Sequence, residues 1–489
     1  MDYMNGTRSF KIAGYLLYIL LVSVPLFLHL DQHPLRLWDE SRNAKNALEM
    51  YENGNFLVTH YEGAPEMWNT KPPLLIWLQV VFFHLLGPGE LALRLPSALA
   101  GLGVCILLLA FSMHYLKSRF FAFITSIILI TSIGFTQFHV TRTGDYDSLL
   151  VFFMSAYAFA FFAYTESGNK KHLNAFFLFL TLAVFTKSIQ AFLFLPALVL
   201  YAFIYHKHLL FLSKKVILPA FLFILSVGAY YLLREKYNPG YLLAVWDNEL
   251  GGRYLKANEN HGGEFLFYFR MLYNHHFSFW FWFFISGVFC LVLPIKQELK
   301  RIGLFSLLIA LSYWLIVSLS QTKLEWYEAP LFPFMSLLAA IPLYLVSTII
   351  INYFNYKKIG HLICSILLIV FFFKPYSKAI NRSNNSAPFV WESGIYETAY
   401  VLQETLRDEN EVPDYHICFE GYHAHLTFYT YLISKRGTEI KSIKKESLNQ
   451  GARVWVSQSD VKKYIELNYE VQVLDTYLGA TKYEVLKAL

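Results

Sequence analysis

Apolar runs long enough to cross the roughly 30 Å hydrocarbon core of a bilayer recur along most of the chain. They lie near residues 12–30, 94–116, 120–138, 148–165, 172–186, 188–206, 216–233, 277–295, 302–320, 330–351 and 359–374, which predicts about 11 helical spans. Lys187 interrupts the stretch 172–206, which therefore reads as two short spans meeting there. A lone Lys inside one long helix would be costly in lipid. The first run is followed by His29-Leu30-Asp31 rather than a small-residue cleavage site, so a retained helix is expected.

Between the first two spans lies a long loop, 31–93. It contains a polar helical stretch from Ser41 to Tyr51 and a short apolar stretch, 74–86, directly after Pro72-Pro73. The second suits a helix lying in the membrane interface, with Pro73 at its start, where a missing N–H leaves nothing unpaired. After Lys374 the pattern changes to short alternating segments. Strands are expected at Tyr415–Glu420, Thr438–Ile443, Arg453–Ser457, Tyr469–Thr476 and Tyr483–Lys487. Helices are expected at His423–Ser434 and Ser459–Asn468, the latter with Ser459 as N-cap. His423 and His425 are two apart, do not share a helix face, and read as surface residues. The expected division is a transmembrane domain over 1–374 and a small α/β domain over 375–489, outside the membrane.

Composition agrees. Of 489 residues, 56% are hydrophobic and 16% charged, with 18% aromatic. Mean hydropathy is +0.39. An average soluble domain carries about 25% charged residues. Soluble, disordered and disulfide-scaffold classes are excluded. The net charge of +6 is dispersed in short Lys/Arg clusters between apolar runs, such as Lys170-Lys171, Lys214-Lys215 and Lys357-Lys358. That is the cytoplasmic-loop signature of a membrane protein. It is not the basic patch of a nucleic-acid binder. With the N-terminus cytoplasmic, all these clusters face inward and the tail faces out, as in a multi-pass protein of the cell inner (plasma) membrane. Cys105, Cys290, Cys364 and Cys418 offer no disulfide framework or zinc spacing.

The chemistry-bearing residues fall in the predicted outer loops. Asp39-Glu40 follows the first span, Lys71 precedes the double proline, Arg142-Thr-Gly-Asp-Tyr-Asp147 joins two spans, and Lys323-Leu-Glu-Trp-Tyr-Glu328 precedes Pro330. Taken singly, each has a bland reading: Asp39 as a helix N-cap, or Asp145 or Asp147 capping the next span. Together they place carboxylates and cations near the interface in four clusters across three loops. Transfer of a sugar from a lipid phosphate needs those groups. A carboxylate removes the acceptor's proton, and Lys or Arg holds the departing phosphate.

In order along residues 15–340, the motifs Trp38-Asp-Glu-Ser-Arg42, Gly54-Asn-Phe, Lys71-Pro-Pro-Leu-Leu-Ile-Trp77, Leu93-Arg-Leu-Pro-Ser97, Arg142 to Asp147, and Thr322-Lys-Leu-Glu-Trp-Tyr327 with Pro330 are found. Here the chain resembles the GT-C glycosyltransferases of the ArnT/protein-O-mannosyltransferase-like (PMT) type. The resemblance implies a polytopic α-helical GT-C fold with an extracytoplasmic C-terminal domain. It also implies inverting transfer from a polyprenyl-phosphate-linked sugar at the outer face of the lipid bilayer. The acceptor it implies is an envelope one: a lipid A-like glycolipid, another glycan or a protein. By the same resemblance Asp39 is the general base or acceptor-site acid, with Glu40 in support and Asp147 as the acid after the third span. Arg42, Lys71, Arg142, Lys323 and Tyr327 then face the donor or its phosphate. Members of this type often carry an acid before the Lys-Pro, where this chain has Thr70. Use of a divalent metal is therefore left open, with His275 and His276 as weak candidates and no other cofactor expected. Two rival classes remain, a polyprenyl-lipid flippase or transporter without transferase chemistry and a structural partner in an envelope complex. Transporters place ionisable residues near the midplane on discontinuous helices. In this chain Lys187 is the chief such residue.

Overall fold

The computed structural model describes residues 8–251, 261–384, 392–408 and 413–489. The membrane-type part is built from α1 (Arg8–Phe27), α2 (Asp39–Asn53), α3 (Leu74–Leu86), α4 (Glu90–Tyr115), α5 (Arg119–Thr131), α6 (Tyr146–Ser167), α7 (Lys170–Lys187) and α8 (Leu195–Ile204). It continues through α9 (Ile217–Tyr237), the short α10 (Tyr241–Val245) and α11 (Phe267–Met271), α12 (Phe281–Cys290), α13 (Gln297–Leu319), α14 (Phe332–Tyr353) and α15 (Lys357–Asn384). Among the described residues, seven helical segments are long and apolar enough to cross a membrane: 90–115, 146–167, 170–192, 214–237, 297–319, 325–353 and 357–384. The runs expected near 12–30, 120–138, 188–206 and 277–295 form shorter apolar helices.

Helix α6 is the centre of the bundle. In its apolar stretch 94% of residues are buried, against 11% in 214–237. A helix apolar all round must be surrounded by other helices or by lipid, and α6 takes the first place while α9 takes the second. Close approach elsewhere depends on glycine. At Gly134, just after α5, an added Cβ would sit 2.2 Å from the Phe332 ring and 2.8 Å from the His276 Cβ. That contact brings the ends of α5, α12 and α14 together.

The interruption at Lys187 is real. Helix α7 ends there, Ser188 takes φ 49°, and a 3₁₀ turn over Ser188–Phe192 leads to α8. In the first loop, α2 ends at Gly54, whose φ of 66° suits glycine and whose N–H reaches the Met50 carbonyl at 3.0 Å. A small hairpin, β1 (His60–Tyr61) with β2 (Ala64–Pro65), precedes α3. As expected, α3 starts directly after Pro73.

Helix α15 continues through the expected boundary at 374/375 and ends at Asn384. Beyond it come α16 (Glu397–Arg407), β3 (His416–Ile417), α17 (Ala424–Ser434), β4 (Arg453–Val456), α18 (Ser459–Asn468), β5 (Tyr469–Tyr477) and β6 (Ala480–Ala488). The sheet order is β3-β4-β6-β5, with β3 parallel to β4 and the other pairs antiparallel. The segment 438–443 is not a strand. It touches β3 at one bridge, Ile417 with Ser442, and makes two backbone bonds around Ile417. Ser459 is the first helical residue of α18 rather than its cap. The cap position belongs to Gln458, whose amide is engaged by the Glu420 backbone. His425 is buried, not a surface residue, with Nε2 3.0 Å from the Ile395 carbonyl.

This C-terminal part shares a hydrophobic core with the first loop. Leu35, Ala47, Ile76 and Phe83 pack in one cluster with Leu402, Leu426 and Phe428. Arg36 pairs with Glu392 at 3.1 Å, and the Tyr396 hydroxyl accepts the Leu37 N–H at 3.1 Å. The Trp38 ring lies flat on Tyr422, centroids 5.0 Å apart at 2°.

Candidate active site

The site assembles where the start of α2, the turn between α5 and α6, and the break after α7 meet. Chain entry into α2 is strained, with Trp38 at φ 70° and ψ −114°. Asp39 follows, exposed, and Glu40 turns inward, fully buried. The Glu40 carboxylate accepts Arg94 Nε at 2.7 Å and Nη2 at 2.9 Å, and the Arg36 and Gly144 N–H groups at 2.8 Å each. Burial alone would push this carboxyl up. The Arg94 guanidinium and the backbone donors outweigh burial and hold the carboxyl below the usual range. Four donors fill the acceptor positions of a carboxylate. Glu40 is therefore placed as the anchor joining α2, α4 and the 142–145 turn, with its acceptor positions filled.

Three of the expected phosphate contacts are also occupied. Arg142 donates to the carbonyls of Pro25, Leu26, His29 and Ser383 at 3.2–3.4 Å, at the C-terminal ends of α1 and α15. Lys323 donates to Val317 and Ser318 at 3.2 and 2.7 Å, and to Ser320, closing the C-terminal end of α13. Cations suit helix C-termini because carbonyls there lack helical partners. Arg42 makes a two-pronged pair with Glu66 at 2.8 and 2.9 Å and lies 4.3 Å from the Tyr61 ring centre.

The remaining expected residues gather. Asp147 is buried and receives Lys187 Nζ at 2.7 Å on both oxygens. The same ammonium lies 5.1 Å from the Tyr327 ring centre. Lys71 Nζ is 3.4 Å from Asn69 Oδ1, 3.9 Å from Glu249 and 5.3 Å from the Tyr146 ring centre. The Tyr146 hydroxyl accepts Asn69 Nδ2 at 3.0 Å. The charge of Asp39 acts on both Tyr146 and His139. Lys71 thus lies beside Tyr146, and Asp147 and Tyr327 are grouped around Lys187, while Asp39 stands exposed at the start of α2. Glu40, Arg142 and Lys323 are engaged as supports.

His275 is exposed. His276 is buried, with Nδ1 bonded to Glu328 and Nε2 3.7 Å from Glu325. Among the described residues no three His, Cys, Asp or Glu side chains are grouped to hold a metal ion. The structure adds Lys187, Asp145 and His139, which sequence reasoning did not place in the site. Lys187 carried a signal, as the one charge inside a long apolar stretch. His139 carried none, since its position depends on the turn described below. Chemically, an exposed carboxylate such as Asp39 can take a proton from a hydroxyl, and an ammonium group such as Lys71 can hold a phosphate.

Residues 70–232 match the family model described as dolichyl-phosphate-mannose-protein mannosyltransferase. YycA of Bacillus subtilis, provisionally named a mannosyltransferase, is 29% identical over 163 residues, 33% of this chain and 23% of that protein. The undecaprenyl phosphate-alpha-4-amino-4-deoxy-L-arabinose arabinosyl transferase of Aeromonas hydrophila is 26% identical over 153 residues, 30% of this chain and 27% of that protein. The chain thus spans about a quarter of the length of these curated relatives. The fold is similar throughout to ArnT of Cupriavidus metallidurans, solved bound to undecaprenyl phosphate. The TM-score is 0.68 at 15% identity, covering 98% of each chain. The motif resemblance to ArnT/PMT-type GT-C glycosyltransferases holds, by sequence in the central segment and by fold across the chain. The protein is mostly helical and of the multi-pass membrane type.

Proposed function

We propose that the chain is an integral-membrane glycosyltransferase that moves a sugar from a polyprenyl-phosphate donor to an envelope acceptor at the outer face of the membrane. The observation that carries this reading is the buried Asp147–Lys187 pair under Tyr327, with Lys71 beside the neighbouring Tyr146; the exposed Asp39 carboxylate is proposed to open to the same mouth. The relatives named for transfer from undecaprenyl or dolichyl phosphates support it. In the proposed step the acceptor oxygen attacks the anomeric carbon as the bond to the phosphate oxygen breaks, with inversion. The acceptor's proton passes to Asp39. The electron pair stays on the phosphate, held by Lys71. Asp147 and Lys187 fix the floor of the mouth, and Tyr327 lies over Lys187.

This reading includes about 11 spans, a cytoplasmic N-terminus, and a transmembrane domain followed by an extracytoplasmic α/β domain. The acceptor is a glycolipid, glycan or protein. The break after α7 beside a buried ion pair also suits a flippase. Mass spectrometry of envelope lipids and glycans, with and without the gene, separates the two. Loss of one sugar from a defined molecule, with build-up of its polyprenyl-phosphate form, supports transfer. An unchanged sugar inventory with a lipid stranded on the inner leaflet supports the flippase. Asp39→Asn is expected to abolish transfer at normal expression and thermal stability, and undiminished turnover would remove Asp39 from its role.

A further inference from the structure

The turn between α5 and α6 holds a histidine that the proposed step leaves unused. His139 has φ 62°, a left-handed conformation that a non-glycine residue keeps only when its surroundings enforce it. The enforcement is visible. Its N–H donates to Thr143 Oγ1 at 2.7 Å, and that hydroxyl donates to Asp145 Oδ2 at 2.6 Å. The ring stacks on Trp326 with centroids 3.7 Å apart at 15°. Nδ1 is buried without a hydrogen-bond partner, 3.4 Å from Asp145 Oδ2. Yet 25% of the side chain is exposed. Because Nδ1 is sealed, the open part of the residue lies elsewhere, and the charges of Asp39 and Asp147 both reach the ring. A histidine used only as packing needs neither an open edge nor a carboxylate 3.4 Å from its sealed nitrogen.

We infer that His139 is a phosphate-binding residue of this site, with Nδ1–H set toward Asp145 and Nε2–H donating to the phosphate of the polyprenyl-linked donor. The inference rests on the glycosyltransferase reading and deepens it. His139 keeps its proton throughout, and its hydrogen bond strengthens as charge grows on the leaving oxygen. Lys187 is closed by Asp147 at 2.7 Å on both oxygens, whereas the acid beside His139 faces Nδ1 and leaves the other ring nitrogen for the phosphate, alongside Lys71. The charges facing the ring are Asp145 from its own turn, Asp39 from α2 and Asp147 from α6. The 325–331 turn presents Trp326 to it, while Glu325 and Glu328 turn to His276. Burial disfavours the imidazolium, but these carboxylates outweigh burial and raise the pKa.

The test uses undecaprenyl phosphate, which is independent of the sugar transferred. Its affinity for the full chain in one detergent is measured from pH 5.5 to 9. His139→Gln carries the phosphate's own titration, so the difference between wild type and this variant reports the histidine. Wild type is expected to bind about tenfold tighter than His139→Gln at low pH, one charge-assisted bond being worth that factor. The advantage should vanish as pH rises. His139→Arg should keep the affinity at high pH, and Asp145→Asn should move the loss to lower pH. Should His139→Gln fail to fold, the Asp145→Asn shift and the wild-type profile decide. Equal affinities and slopes in wild type and His139→Gln would overturn the inference. No binding to wild type at any pH would overturn the glycosyltransferase reading instead.

Discussion

Removing the Glu40 side chain should unfold the outer part of this protein more readily than any change to the neighbouring Asp39. In Glu40→Ala the Arg94 guanidinium, 3% exposed, loses the carboxylate it is bonded to. Stranding a buried charge costs about 3–5 kcal/mol. Arg94 still donates to the carbonyls of Leu30, His33 and Pro34 at 2.6–2.9 Å, so about 3 kcal/mol, the low end, is expected. Adding Arg94→Met removes the stranded charge, and the double variant should recover about 2 kcal/mol relative to the sum of the singles. The buried free cysteines Cys105, Cys364 and Cys418 make the assay convenient. A thiol-reactive fluorogenic maleimide reports their exposure on heating, in one detergent at one scan rate. The shift expected for Glu40→Ala is at least several degrees, at about 2 °C per kcal/mol for a large domain. The pH dependence has a definite sign. The folded carboxyl sits below its unfolded value, so the stabilisation is complete above about pH 4.3 and is lost as pH falls through the folded value. An unchanged transition in Glu40→Ala, or additive single and double variants, would refute the anchoring argument.

Two further outcomes follow from the same geometry. The Trp38–Tyr422 stack joins the first loop to the C-terminal part, and such a pair is worth about 1 kcal/mol beyond area burial. Trp38→Ala and Tyr422→Ala should each speed proteolytic release of the C-terminal part, with no further gain when combined. Additive acceleration would show that the two rings act separately. Glu66 is buried, pairs with Arg42, and accepts the Trp68 and Asn69 N–H groups at 2.8 and 3.1 Å. Burial raises its carboxyl pKa, but the Arg42 pair and these donors outweigh burial and depress it. Amide exchange at Trp68 and Asn69, corrected for intrinsic rate, should be slow at pH 6. It should quicken only below about pH 4.3, as the carboxylate is lost. Protection that ignores pH down to 3 would remove Glu66 as the latch of that loop.

Much of the architecture was legible because lipid imposes a coarse rule. A helix must be apolar for about 20 residues, and the Lys187 break and the start of α3 after Pro73 follow from reading the chain that way, whereas the boundary expected at 374/375 falls inside α15. The small sheet was less legible. Its β5–β6 hairpin turns at Leu478-Gly479, with φ 48° and 97°. The segment 438–443 has strand-like composition but meets its neighbour at one bridge. Edge pairing depends on what lies beside a segment, which composition does not state.

The site divides in the same way. The motifs pointed to Asp39, Glu40, Arg42, Lys71, Arg142, Asp147, Lys323 and Tyr327, of which the structure groups Asp147 and Tyr327 around Lys187. Residue type could not tell which charges stay available, because their partners are far away in sequence. Glu40 meets Arg94 54 positions on, Asp147 meets Lys187 40 positions on, and Arg142 reaches the Ser383 carbonyl across 241 positions. A buried charge must be neutralised or hydrogen-bonded wherever the fold allows. The sequence by itself therefore determined that this is a membrane protein with acids and cations in the loops between its helices. Only tertiary packing decided that Glu40, Arg142 and Lys323 are buried anchors while Asp39 lies at the surface.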